Sequence, residues 1–252
     1  MEKISAVIIT FNEERNIRRC LESLTEVADE IIVLDSFSTD KTEDICREFG
    51  VKFHTHKFDG HIQQKNRAME MAANDWVLSL DADEALDESL KAEIEKVKEN
   101  LDADAYKFNR LTNYCGKWIK HSGWYPDVKL RLWNRKKGKW GGDNPHDKVI
   151  MQEGSSIKHL KGNLLHYSYY TVDEHVRQND YFSSIGAEVL FEKGKKSSVF
   201  KACYKSAWMF FRNYFLKGGF LDGKYGFTVC RLTASGTYHK YIKLRNLLKE
   251  KS

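Results

Sequence analysis

The sequence predicts an α/β fold: a mixed central sheet, parallel in its N-terminal half, followed by a basic helical extension. Three observations carry that prediction. Short β-branched runs alternate with helical periodicities through the first hundred or so positions. Acidic or polar residues close three of those runs, and residues 195–252 hold 13 Lys/Arg against only Asp222 and Glu250.

Ile4–Ile9 is an apolar run of the kind expected for a strand buried on both faces of a parallel sheet. It ends at Thr10-Phe11-Asn12, where Asn12 followed by Glu13-Glu14 offers a helix cap and negative first-turn charges. Ile17, Leu21 and Leu24 mark that helix's buried stripe. Glu30–Leu34 forms a second strand with Asp35 at its carboxyl end. Ser38 and Asp40 are placed to cap the next helix, which buries Ile45 and Phe49 and stops at Gly50. Val51–His54 is a short third strand, His61–Ala73 a helix, and Trp76–Leu80 a strand that delivers Asp81-Ala82-Asp83-Glu84. Leu90, Ile94, Val97 and Leu101 then recur at helical spacing. Beyond Ala105 the pattern changes: Ala105–Asn109 and Val128–Trp133 are strand-like, and Val172–Phe191 is a helix through Val176, Ile185 and Val189. The βαβαβ opening places ligands at the carboxyl ends of the strands. The domain organisation expected is residues 1–194 as the main domain, divided at 104/105, with 195–252 as a helical tail.

The bulk composition sets limits. A chain of 252 residues holds one large α/β domain and a modest appendage. With 41% hydrophobic and 13% aromatic residues, wholesale disorder is excluded. Five scattered cysteines without a CxxC pair read as reduced thiols. The start runs straight into a strand without a signal-peptide pattern, and no apolar stretch reaches the roughly 20 residues of a membrane span. A cytoplasmic location is therefore expected. The net charge of +5 divides into +11 over residues 195–252 and −6 over the remainder, which has 28 Lys/Arg against 34 Asp/Glu.

Three candidates for chemistry stand at early strand ends: Thr10-Phe11-Asn12, Asp35 and Asp81-Ala82-Asp83. No glycine-rich GxGxxG or GxxxxGK[ST] loop is present, so a nucleotide diphosphate bound here would be held through a cation. Paired carboxylates just after a buried strand suit Mg²⁺ or Mn²⁺, which keep several waters and bridge protein to phosphate oxygens. His54, His56 and His61 make a poor zinc site, with a His-x-His pair standing at a strand end, and read as loop or rim residues.

The segments AVIITFNEE (6–14), EIIVLDSFSTDKT (30–42), QQKNRAMEMAANDWVLSLDADE (63–84) and GWYPDVKLRLWNR (123–135) resemble family 2 inverting glycosyltransferases of the GT-A fold. Among these the likeness is greatest to lipopolysaccharide core transferases for glucose or heptose. The resemblance spans roughly residues 1–185 and implies donor contacts at Thr10, Phe11, Asn12 and Glu13, base recognition by Asp35, and Lys65 near the diphosphate. Asp81 would contact ribose or a metal water, Ala82 sits between the acids, and Asp83 would ligate the metal with His166. Inverting transfer requires one general base. His146-Asp147 matches the family's His-acid pair, with Asp where Glu is frequent; Asp143 is the second choice, while Asp127 positions acceptor or loop. Arg131 and Arg135 either support anionic groups or are solvated strand charges. The reaction implied moves a hexose or heptose from a nucleoside-diphosphate sugar, UDP-linked by preference, to a saccharide acceptor such as a lipid-linked core glycan. The rivals are a nucleotidyltransferase and a non-catalytic membrane-associated binding protein.

In the tail, a helical wheel sets Val199, Cys203, Phe210 and Tyr214 on one side, and Lys201, Lys205 and Arg212 opposite with Trp208 beside them. Tyr238–Lys249 repeats the mixture. Such helices suit the interface of an anionic membrane; packing on the main domain is the second reading and nucleic acid the third. A peripheral position at the inner face of the cytoplasmic membrane is expected, with no nucleic-acid partner.

Overall fold

The structure is a computed structural model and describes residues 2–143 and 146–250, the side chains of Asp143 and His146 excepted. It divides into two compact units, each discontinuous in sequence. One comprises Met1–Arg110 and Asp127–Tyr167, the other Leu111–Pro126 and Ser168–Ser252. These limits fall elsewhere than 104/105 and 194/195, because residues 111–126 share a cluster with the C-terminal helices: Tyr114, Ile119 and Val229 pack together with Trp124 and Tyr225 around them.

In the first unit, strands β1 (Ile4–Thr10), β2 (Glu30–Asp35), β3 (Lys52–Thr55) and β4 (Trp76–Asp81) alternate with helices α1 (Ile17–Leu24), α2 (Thr42–Glu48) and α3 (His61–Glu70). The short β5 (Glu84–Leu86) and α4 (Glu88–Glu99) follow, then β6 (Ala105–Tyr114), whose last four residues belong with β7 (Lys117–Ile119) to the second unit, β8 (Asp127–Asn134) and a separate hairpin of β9 (Gly138–Asp143) and β10 (His146–Met151). The long β11 (Ile157–Tyr169) completes a sheet ordered β3-β2-β1-β4-β8-β6-β11-β5. β3, β2, β1 and β4 are parallel, while β8 joins β4 and β6 antiparallel.

Alternation along β1 explains why both faces are covered. Ile4, Ala6 and Ile8 meet Ile17, Leu21 and Leu24 of α1, Ile45 of α2 and Leu90 and Ile94 of α4. Val7, with Ile32, Leu34 and Val77, meets Ala68 and Met69 of α3 and two tryptophans, Trp133 and Trp140. β2 and β3 lie on one side of β1 and β4 on the other, so the winding direction reverses between β1 and β4. Crevices form at such a reversal, outside the carboxyl ends of the strands.

Local expectations change at several points. Asn12 does not cap α1, which starts five residues later at Ile17. It adopts φ 53°, a left-handed conformation that Asn tolerates, and its side-chain oxygen accepts from Thr39 N at 2.8 Å. Lys41, not Ser38 or Asp40, holds the position before α2, and α3 ends at Glu70.

The second unit contains α5 (Val172–Glu192), α6 (Val199–Phe211) and α7 (Gly223–Glu250), with a π-turn over Arg212–Leu216 and a 3₁₀ turn over Gly219–Asp222 between the last two. The expected apolar stripes are not the packed ones. On α5 the buried residues are His175, Ser183 and Ala187, while Val176 and Val189 are exposed. α5 and α7 approach closely because Gly236 has no side chain: a Cβ there would meet Asn179 Oδ1 at 1.9 Å. On α6 only Ala202 is buried, and Val199 and Cys203 face outward. No helix among the described residues is long and apolar enough to cross a membrane.

Candidate active site

Sheet register assembles the site. Thr10 of β1 stands opposite Asp35 of β2, and Ile9 opposite Asp81 of β4, so the ends of three parallel strands carry their polar residues side by side. Thr10 Oγ1 is buried and has no hydrogen-bond partner among the described residues. Asp35, also buried, accepts from Ser38 N at 2.7 Å, and Ser38 Oγ in turn accepts from Asn12 N at 2.8 Å. The two loops that follow β1 and β2 are thereby tied together. Phe11 and Phe37 stand exposed on them, Phe37 at φ 62°, a strained conformation for a bulky side chain.

Glu13 lies behind this loop pair, with Asn16 Nδ2 donating to its carboxylate at 2.7 Å. Burial pushes its carboxyl up to about 7, against the Asn16 hydrogen bond, and the negative charges of Asp83, Asp40 and Asp81 add to the rise.

The two aspartates of the acidic turn after β4 have different partners. Both oxygens of Asp81 are engaged by cations: Oδ1 by Lys65 Nζ at 2.9 Å and Oδ2 by Arg131 at 2.9 Å. Burial acts to raise the Asp81 carboxyl, and the Lys65 and Arg131 charges overcome it, holding it far below the ordinary carboxylate range. Asp83 pairs instead with His166, Oδ2 to Nε2 at 3.1 Å. Burial again opposes, and His166 by charge and hydrogen bond holds Asp83 below its usual value. β5 explains how residues so far apart in sequence meet. It pairs with β11 so that His166 faces Glu84, and Tyr167 N donates to Asp83 O at 2.9 Å.

Lys65 is the residue whose setting departs most from a surface helix. It is 4% exposed, and its ammonium reaches Asp147 Oδ2 at 2.8 Å as well as Asp81, with the Trp140 ring 4.4 Å away. It is thus a buried bridge between the acidic turn and the β9–β10 hairpin, not a solvated helix charge. Asp143, the other base expected, lies with His146 outside the described side chains.

Arg131 is likewise no solvated strand charge: it spans Asp81 and Glu84, the latter at 2.7 Å. Glu84 is almost fully buried, accepts from Asp81 N at 3.0 Å and also meets Arg110, which turns to Asp127 at 2.7 Å. Arg135 contacts backbone carbonyls of Met69 and Glu70. Glu84, Arg110 and Trp140 were not marked by sequence reasoning. The signal for Glu84 was its place directly after Asp83; Arg110 and Trp140 offered none. Around these groups lies a cavity of about 510 Å³, lined by Lys65, Asp81, Arg131, Trp140 and Asp147 with Arg110 and Lys129 at its side.

The donor atoms of Asp83 and His166 can be tested against a cation. Neighbouring ligands at right angles on Mg²⁺ or Mn²⁺, with bonds of about 2.1 Å, stand roughly 3.0 Å apart, and the pair observed is separated by 3.1 Å. The carboxylate of Asp83 is the oxygen ligand that Mg²⁺ and Mn²⁺ prefer. The pair fits such an ion as part of its coordination, although among the described residues no group of three or more His, Cys, Asp or Glu is arranged to hold one.

A strand-end crevice with a paired acidic turn is the arrangement expected of a transferase in an open α/β sheet. The sequence profile of glycosyl transferase family 2 matches residues 5–155. The chain belongs to that family and is a glycosyltransferase, with the mixed sheet of the GT-A fold. An uncharacterized glycosyltransferase of Rickettsia typhi is 34% identical over 257 residues, covering 98% of this chain and 88% of that protein. The lipopolysaccharide core biosynthesis glycosyltransferase LpsC of Rhizobium meliloti is 29% identical over 254 residues, covering 94% and 93%. Among solved structures, S. aureus TarS (residues 1–349, in complex with UDP) has a TM-score of 0.48 at 15% identity, covering 99% of this chain and 92% of that one.

Proposed function

We propose that this glycosyltransferase moves a hexose or heptose, with inversion, from a UDP-sugar to a saccharide acceptor of a lipid-linked core glycan. The observation that carries the mechanism is Lys65, which joins the donor-side carboxylate Asp81 to Asp147 across one ammonium. In this reading Asp147 is the general base. It takes the proton of an acceptor hydroxyl seated in the cavity beside Trp140, and the freed oxygen attacks the anomeric carbon from the face opposite the leaving diphosphate. Lys65 fixes the Asp147 carboxylate in place. Thr10, Phe11, Asn12, Glu13 and Asp35 receive base and ribose at the ends of β1 and β2, where Thr10 Oγ1 has an unfilled hydrogen bond to give. Asp83 and His166 would hold Mg²⁺ or Mn²⁺, whose contribution is charge neutralisation on the diphosphate. Asp81 and Ala82 complete the turn beside it. The similarity to LpsC supports an acceptor of the lipopolysaccharide-core kind, and such an acceptor gives a peripheral position at the inner face of the cytoplasmic membrane a purpose.

Two substitutions test this. Asp83→Ala should abolish Mn²⁺-dependent UDP binding in calorimetry; unchanged affinity removes Asp83 from the metal. Asp147→Asn should keep UDP affinity and lose transfer by about 10²-fold or more, as expected for a missing base. Near-normal turnover would move the role to Asp143.

A further inference from the structure

Helix α6 is built inside out. A surface helix ordinarily turns its apolar stripe inward and its polar face to water. Here the only buried residue of α6 is the small Ala202, followed by Asn213 in the turn after it, and Ser206 Oγ donates to the Ala234 carbonyl of α7 at 2.8 Å. The outward face is aromatic. Phe200, Tyr204, Trp208, Phe211 and Phe215 follow one another at spacings of three and four residues and are all exposed, Phe200 at 81%. The stripe runs into the connection to α7, where Leu216, Phe220 and Leu221 are also exposed, Leu216 at 64%. An apolar patch of this extent on a folded surface marks a contact with something else.

The connection that carries the last three residues is fixed from behind. Asp222 is buried and accepts from His121 N at 2.9 Å and from Lys120 N at 3.3 Å, with His121 Nδ1 at 3.0 Å, while Ser122 N donates to the Lys217 carbonyl at 2.9 Å. The apolar tip is therefore held in place and does not depend on ordering by a partner.

Charge selects the partner. Lys201, Lys205 and Arg212 line one edge of the stripe, and Lys217 and Lys224 flank the tip. Between Glu192 and Glu250 the sole acid is Asp222, and it is buried. Two copies meeting through this face would bring together two segments of +11 each; an anionic bilayer would instead meet its counter-charge and take in the aromatic rings at headgroup depth. We propose that the outward face of α6 and its tip is a monotopic docking surface for anionic phospholipid, lying in the interface without crossing it. It deepens the lipid-linked-acceptor reading, but it stands on the second unit alone and can fail separately.

The experiment uses the full chain with vesicles of phosphatidylcholine alone or mixed with phosphatidylglycerol. The intact protein should sediment with the mixed vesicles and not with phosphatidylcholine alone, and its tryptophan emission should shift to the blue on mixing, a shift reduced in Trp208→Phe. The triple variant Phe200→Ser, Phe211→Ser, Phe215→Ser changes only exposed positions and should weaken vesicle binding at least about tenfold, with Mn²⁺-dependent UDP binding unchanged. Equal sedimentation with both vesicle types overturns the proposal. So does an unaffected triple variant, or a self-associated protein that the triple variant makes monomeric. Loss of UDP binding by the intact protein would count against the transfer mechanism, not against this surface.

Discussion

Lys65 shows how one side chain can bind two parts of a site. Its ammonium is almost fully withdrawn from water and stands between Asp81 and Asp147. Removing one partner of a buried pair leaves uncompensated charge, at a cost of about 3–5 kcal/mol. Lys65→Ala should therefore lower stability to urea by roughly 3 kcal/mol and also abolish transfer, whereas Lys65→Arg should restore much of the stability. If Lys65→Ala unfolds like the parent, the ammonium is not the bridge described. None of this was visible from the chain: Lys65 sits in a run of polar residues, and Asp147 lies 82 positions away. The strand-end positions of Asp35 and Asp81 were legible because each directly follows an apolar run, with Asp83 two residues further on.

At the level of elements, backbone proximity sets the tolerances. β11 crosses the start of α4 at Gly162, which has φ 93°; a Cβ there would lie 2.4 Å from the Leu90 backbone nitrogen. Neither the conformation nor the space admits a side chain, since the contact is with backbone that cannot rotate away. Gly162→Ala should lower the thermal midpoint markedly, by more than about 1 kcal/mol in stability, and a midpoint within a degree of the parent would refute the close approach. The alternation of β1 to β4 with α1 to α3 was legible because buried parallel strands are continuous apolar runs and their helices have clear stripes. The hairpin β9–β10 and the strand β11 were not. Gly138, Gly141 and Gly142 interrupt the first, and Ile157–Tyr169 mixes lysines, histidines and a glycine with few residues that need burial. The helices of the second unit were legible as helices, but their orientation was not, because apolar periodicity does not say which face meets protein.

Over the whole molecule, two groups titrate in opposite senses. Glu13 has its carboxyl raised from 4.5 to about 7, so the folded state holds a proton that the unfolded chain has released. Its contribution is full below pH 4.5 and is lost as pH rises to 7. Burial lowers His175 from 6.5 to about 4, so its contribution is full above pH 6.5 and is lost as pH falls to 4. Each is worth no more than about 3 kcal/mol, and between pH 5 and 6.5 they offset. Glu13→Gln should uncover a stability that climbs with pH across that interval, and His175→Asn one that declines, both read by thermal unfolding in matched buffers. Parallel profiles for parent and variants would show that neither group is linked to folding.

The division of the chain has a practical consequence for dissection. The second unit enters the sequence twice, first at Leu111–Pro126 and again from Ser168, with the Asp127–Tyr167 part of the first unit between. No single cut yields either unit intact. Truncation after residue 194 would remove α6 and α7, taking Val229 from Tyr114 and Ile119 and Leu232 from Asn179, and would leave newly uncovered apolar surface behind. A fragment that aggregates after such a cut would report on lost packing, not on lost binding. Proteolysis, domain exchange with relatives and expression of a minimal catalytic piece face the same obstacle, so the C-terminal helices are best interrogated one side chain at a time.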